Sequence, residues 1–442
     1  MFLSIPLLDD IVKGRGKTGR KQPLEDYVDR MHYYVTVYIL CVFALLVGSK
    51  QHFGNPIDCF ISAEVDKVRT WQAYILDYCF MQGTYRYELG MNATTPSLNG
   101  RDPMNTKHIS VRYYQWVPFF FAFQLLCFMV PDFFWIYIQS YLYIDMSMVV
   151  TESAELNSVK RSSNRSSKLN NIADYIFSYF YYRKIARRGL VSSIFRMPAV
   201  ATVFYVLTKF LYLVNAIVQL YLTTYFLGFP DMRWGLRIML AFLTKKTFPR
   251  LIGGVRVPNH GGMSHFPYFP LEVGCNYTKM ENNNNLHLSS IQCMIPLNYI
   301  NEKLFLFLWF WIMILIMITM ANIVMFVSSI VNRSQREEAI LGLLRENDEK
   351  PFNDKHNLIS KFVHGFMGAD GVLLTRFITA KAGSLACRDV VQRVWTKYAR
   401  ERGAARTTES DDEWSVPYSE TCYAGLPLLR YHDEERKKSC AS

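Results

Sequence analysis

The stretch Tyr113-Tyr114-Gln115-Trp116-Val117-Pro118 opens the apolar run that decides the fold. From Tyr114 to Ile138 there are 25 residues and one charge, Asp132. At about 1.5 Å of rise per residue, a helix of that length crosses a hydrocarbon core of about 30 Å. The aromatic and polar entry suits the ring belt at a membrane face. Pro118 and Pro131 lie inside the run. A spanning helix tolerates them where neighbouring helices satisfy the freed carbonyls, which places this span in a bundle.

Three more runs of this kind flank it. The first covers residues 31–49, the third 199–227 and the fourth 304–331, the last without a single charge. The run from Leu236 to Phe242 is too short to cross. The sequence thus predicts an all-α membrane protein, a four-transmembrane-helix bundle subunit with spans at 31–49, 114–138, 199–227 and 304–331. Residues 1–30 precede the bundle, and loops cover 50–113, 139–198 and 228–303. A cytosolic helical domain is expected over 332–400, and a disordered tail over 401–442. Within the middle loop, Asn157–Asn171 reads as a mobile linker and Ile172–Arg188, aromatic and basic, as a helix near the inner headgroups.

Half of the 442 residues are hydrophobic, with 31 Phe and 28 Tyr, and the net charge is +12. In a soluble chain that charge would suggest nucleic acid. Here the basic residues flank spans, so membrane lipids are the expected partner and nucleic acid is not. Residues 1–30 mix six Lys/Arg with five Asp/Glu and lack the apolar core of a cleavable signal, so the first span is expected to serve as one.

Lys and Arg are dense before the first span and after the fourth, which puts both termini in the cytosol. The second span alone goes against this. Cysteines vote with the majority. Cys59 and Cys79 fall in the first external loop, Cys275 and Cys293 in the second, and none in the internal loop. That pattern fits disulfides in an oxidising exterior, and four cysteines allow three pairings. Intervals of 20 and 18 residues within the pairs lack the close C-x-x-C spacing of a zinc site, so no metal is expected. The sequons at Asn92 and Asn276 also fall in the external loops.

On the third span, Thr208, Tyr212, Asn215, Gln219 and Thr223 share one helical face. That face reads as an interhelical hydrogen-bonding stripe or as a wetted pore wall. Asp132 reads as an ion-path residue or as the cap of a half-helix after Pro131. No phosphate-loop, metalloprotease or nucleophile-elbow motif appears, so neither an enzyme nor a cofactor is expected.

The same residues resemble a known family. Tyr113, Tyr114, Gln115, Trp116 and Val117, followed by Pro118, are similar to the signature of innexins, the large-pore channel and gap-junction proteins of invertebrates, related to pannexins. Lys50-Gln51-His52-Phe53-Gly54-Asn55-Pro56-Ile57-Asp58-Cys59 and Tyr78-Cys79-Phe80-Met81-Gln82-Gly83-Thr84-Tyr85 match the first-loop pattern. Cys293-Met294-Ile295-Pro296-Leu297-Asn298 and Gly368-Ala369-Asp370-Gly371-Val372-Leu373-Leu374-Thr375-Arg376 match later ones. The resemblance covers roughly residues 1–400. Departures are extra sequence at 253–266, Leu271 where a basic residue is usual, and a tail without family pattern.

The resemblance implies a multi-pass plasma-membrane subunit of an oligomeric channel, gap junction or hemichannel, passing ions and small metabolites. It implies a ring of eight subunits, alone or with other innexins, and docking to the hemichannel of an adjacent cell. It makes Met1, Phe2, Leu3 and Ser4 candidate pore lining, and pairs Cys59 with Cys293 and Cys79 with Cys275. A glycan on Asn276, beside Cys275, would obstruct docking. The alternative reading is a non-conducting or obligate heteromeric partner that modifies other channel subunits.

Overall fold

The computed structural model describes residues 24–61, 69–89, 106–142, 144–158, 162–185, 199–228, 231–243, 250–252, 255–257, 269–280, 286–344 and 358–408. Residues through Val394 form one compact unit and those from Trp395 a second. Among the described residues, four helices are long and apolar enough to span a membrane: α1 (Tyr27–Phe53), α3 (Val117–Tyr141, entered by a tight turn over Tyr113–Trp116), α6 (Val200–Phe226) and α8 (Pro296–Val331). The other described helices are α2 (Arg69–Gln82), α4 (Met146–Glu155), α5 (Ser162–Ile185), α7 (Trp234–Leu243), α9 (Arg333–Leu344), α10 (Gly368–Ala382) and α11 (Ser384–Thr408).

At one end of the spans the loops build an antiparallel sheet. Its strands are β1 (Asp58–Cys59), β2 (Thr84–Leu89), β3 (Thr106–Val111), β6 (Glu272–Met280) and β7 (Leu286–Met294), in the order β1-β7-β6-β2-β3. Two short strands, β4 (Arg250–Ile252) and β5 (Val255–Val257), pair separately. A strand of two residues such as β1 carries almost no sequence signal. It exists because Cys59 lies opposite Cys293 on β7.

Rings lock the spans together just below the sheet. Phe120 of α3 stacks on Phe226 of α6 at 4.1 Å, and Phe121 meets Phe305 of α8 at 5.0 Å. Phe121 and Phe305 are fully buried. Each such pair contributes about 0.5–1.5 kcal/mol beyond its buried area. Further along, α1 widens into a π-helical turn over Met31–Thr36. The wider turn aims two polar side chains at α8: His32 meets Thr319 at 2.8 Å and Thr36 accepts from Trp311 at 2.9 Å. Such turns re-aim side chains at the cost of regular hydrogen bonding.

The polar stripe of α6 faces the bundle. Gln124 of α3 donates to Thr223 at 2.9 Å, and Thr208, Tyr212, Gln219 and Thr223 are buried. It is a hydrogen-bonding stripe and no pore wall. Helix α3 runs unbroken through Pro131 and Asp132, so no half-helix starts there, and Asp132 is buried in the bundle.

Residues 162–171 depart from the linker reading given to Asn157–Asn171. Helix α5 begins at Ser162 and is tied down by Arg165, which pairs with Asp389 of α11 at 2.7 Å. Nor do the aromatics of α5 all reach for headgroups. Ile172, Ile176 and Phe180 are buried, and Phe177 and Phe180 meet Phe366, although Tyr181 and Tyr182 remain exposed. A hydrophobic partner distant in sequence, the π-helical turn Lys361–Met367, overrides the local composition.

Candidate functional site

Three features stand out. The first is the stapled sheet. Cys59 is bonded to Cys293, and Cys79 of α2 to Cys275 of β6. The sulfurs of Cys59, Cys79 and Cys293 lie within 4.8 Å of one another, so the two bridges sit side by side. One joins strand to strand across 234 residues of chain, the other fixes α2 to the sheet across 196. Closing loops that long removes several kcal/mol of chain entropy from the unfolded state, about 5 kcal/mol per bridge in the loop-closure model.

The motif at Tyr113 holds the end of α2. Helix α2 stops at Gln82, and Gly83 turns the chain away with φ of 93°. The last carbonyls of a helix have no partner within it. Gln115 supplies one, donating its side-chain amide to the carbonyl of Met81 at 3.2 Å and closely to that of Phe80. The buried Tyr114 hydroxyl lies 3.4 Å from the Phe80 carbonyl, and Tyr113 donates to Asn298 at the start of α8. Trp116 is exposed, and Pro118 occupies the first turn of α3, where a missing N–H costs nothing. The motif therefore ties the stapled helix to two spans.

The second feature is the exposed face of α1. Tyr34, Tyr38, Cys41, Leu45 and Ser49 recur at steps of four, three, four and four, and all are exposed. This face mixes hydroxyl and thiol groups into an apolar span.

The third is a charged root where the chain enters α1. Lys209 of α6, 1% exposed, meets Asp26 at 2.9 Å and Asp29 at 3.1 Å. Tyr205 donates to Asp29 at 2.8 Å, and Trp135 donates to the Leu24 carbonyl at 3.1 Å. Just before Asp26, burial pushes the Glu25 carboxyl up to about 7, with Tyr33 donating to it. On the same α6, Asp370 accepts from the Thr202 N–H and hydroxyl, both at 2.9 Å. A carboxylate from α10 thereby caps a spanning helix, which the sequence alone gave no means of seeing.

Of the remaining sequence candidates, Met1, Phe2, Leu3, Ser4 and Asn92 lie outside the described residues, as does most of 253–266. Asn276 lies on β6 opposite Ser290. Its Oδ1 accepts from Tyr85 at 2.6 Å and from Ser290 at 2.7 Å.

Four spans, a disulfide-joined sheet at one end and packed helices at the other define a polytopic α-helical membrane protein. The family model described as Innexin matches residues 25–398. Innexin-14 of Caenorhabditis elegans is 34% identical over 438 residues, which is 96% of this chain and 98% of that one. Innexin-3 of the same organism is 27% identical, covering 90% and 88%, and Innexin unc-9 is 27% identical, covering 85% and 92%. The chain belongs to the innexin family, and is a subunit of an oligomeric channel of the plasma membrane.

Proposed function

We propose that this subunit lines a wide pore for ions and small metabolites, with the sheet outside the cell and both termini in the cytosol. The observation that carries this reading is the exposed face of α1, whose tyrosines, Cys41 and Ser49 give water a tolerable wall within a span. The charged root supports it. Spans α3 and α6 grip Leu24, Asp26 and Asp29 at the start of α1, the helix read here as the pore wall. Met1, Phe2, Leu3 and Ser4 would extend from there as a constriction. The ring would hold eight copies, or this chain mixed with other innexins.

In this reading Asn276 carries a glycan. Both described hydrogen bonds to its side chain use Oδ1, and Nδ2, the atom that takes the sugar, donates to none of the described residues. The oxygen bonds would hold the amide still and leave its nitrogen available. Asn276 follows Cys275 on β6, so a sugar there would stand on the sheet face opposite the Cys79–Cys275 bridge, where it would hinder docking and favour undocked hemichannels.

The test is expression of this chain alone in paired cells without endogenous junctions. Surface current without coupling is the expected result, and Asn276→Gln should then raise coupling. Strong coupling by the unaltered chain would overturn the glycan argument. Silence in both recordings, with surface delivery confirmed, would favour the non-conducting or heteromeric partner.

A further inference from the structure

Helix α7, ten residues long, follows α6 and is too short to span. The side chains of α7, with Met232 and Arg233 of the turn that leads into it, divide into three arcs at about 100° per residue. Trp234 and Ile238 are buried. Met232, Leu236, Leu240 and Leu243 form an exposed apolar arc, 37%, 38%, 49% and 67% accessible. Arg233 and Arg237 form an exposed basic arc directly beside it.

The depth of α7 is set by α8. Trp309 donates its indole N–H to the Met232 carbonyl at 2.9 Å. A Cβ on Gly235 would stand 2.3 Å from the Trp309 ring, so glycine alone permits so close an approach. Trp309 lies six residues beyond Lys303, the last charge before the uncharged run. At about 1.5 Å per residue, the first turn of α7 therefore sits about 9 Å inside the polar entry of α8. That is the depth at which an amphipathic helix rests between headgroups and acyl chains.

We propose that α7 is a membrane-surface helix that binds a glycerophospholipid from the leaflet at the sheet end. The arc of Met232, Leu236, Leu240 and Leu243 lies against acyl chains, and Arg233 and Arg237 hold the phosphodiester. Charge selects this occupant. From Asp231 to Arg250 the sequence carries five basic residues (Arg233, Arg237, Lys245, Lys246 and Arg250) and one acid. The acid, Asp231, pairs with Arg237, whose side chain is still 55% exposed. Arg233 has no ion-pair partner among the described residues. Guanidinium groups match phosphate oxygens bidentately, while their stems extend the apolar arc. The same arc on a second copy would bring its own arginines and repel.

The experiment places the photoreactive residue p-benzoylphenylalanine at Leu240, and separately at Leu243, of the full-length chain in cell membranes. After irradiation, the intact mass of the purified chain is read. The expected adduct has the mass of one glycerophospholipid, and the double variant Arg233→Gln, Arg237→Gln should lower its yield several-fold. Equal elution on gel filtration shows that the variants fold. A doubled mass would assign the arc to a second copy and overturn the proposal. So would the absence of any adduct at both positions, or a phospholipid adduct indifferent to the arginine substitutions.

Discussion

Gln115 donates its side-chain amide to the carbonyl of Met81 at the end of α2, 3.2 Å away and two residues past the disulfide at Cys79. Replacing it with Leu leaves helix-end carbonyls to water or to nothing. The loss should be about 1 kcal/mol, since the site is only partly buried. Thermal unfolding of the purified protein reads it, with Trp116→Leu as the exposed control that should leave the transition unmoved.

Lys209→Met should be far more damaging. It strands Asp26 and Asp29 beside a buried apolar chain, and breaking a buried ion pair costs about 3–5 kcal/mol. Adding Asp29→Asn to Lys209→Met should restore part of the loss. Surface yield and melting temperature of the single and double variants measure this. A double variant no better than Lys209→Met would show that the lysine acts otherwise than as a counter-charge.

The two disulfides should differ in access. Cys59 is half-buried, whereas Cys79 and Cys275 are fully buried. A limiting dose of phosphine reductant followed by thiol labelling should therefore mark Cys59 and Cys293 first. Cys59→Ser should abolish current, with a stability loss on the order of 2–5 kcal/mol.

Glu25 gives stability a pH dependence. Its carboxyl is raised to about 7 by burial, against an ordinary value of 4.5. The folded state therefore holds this proton more tightly than the unfolded state does. The contribution is fully present below pH 4.5 and is lost as pH rises through 7. Glu25→Gln should flatten that part of the curve and raise the melting temperature at pH 8 more than at pH 5. Asp132 and Asp29 add to the upward shift, while Tyr33 and Arg30 oppose it.

Gly274 offers a test of the sheet. A Cβ there would stand 2.7 Å from the ring of Tyr85. Gly274→Val should displace Tyr85, break its bond to Asn276 and lower secretion-pathway exit of the protein, read as the fraction at the cell surface.

Four spans were legible in the sequence because hydrophobic length is a local property. A run such as 304–331 must cross a membrane whatever it packs against. Cysteine placement likewise needed only the order of spans and loops. Tertiary structure decided the rest. The β1–β7 ladder joins residues more than 200 positions apart, and a two-residue strand has no periodicity to read. The partner of Lys209 lay in a different segment, and so did the cap that Asp370 gives α6. Residues 162–171 looked like linker because Ser, Asn and basic residues favour solvent. They are helical because Asp389 anchors Arg165 from far along the chain, and because the same helix runs on to Phe177 and Phe180, which pack on Phe366.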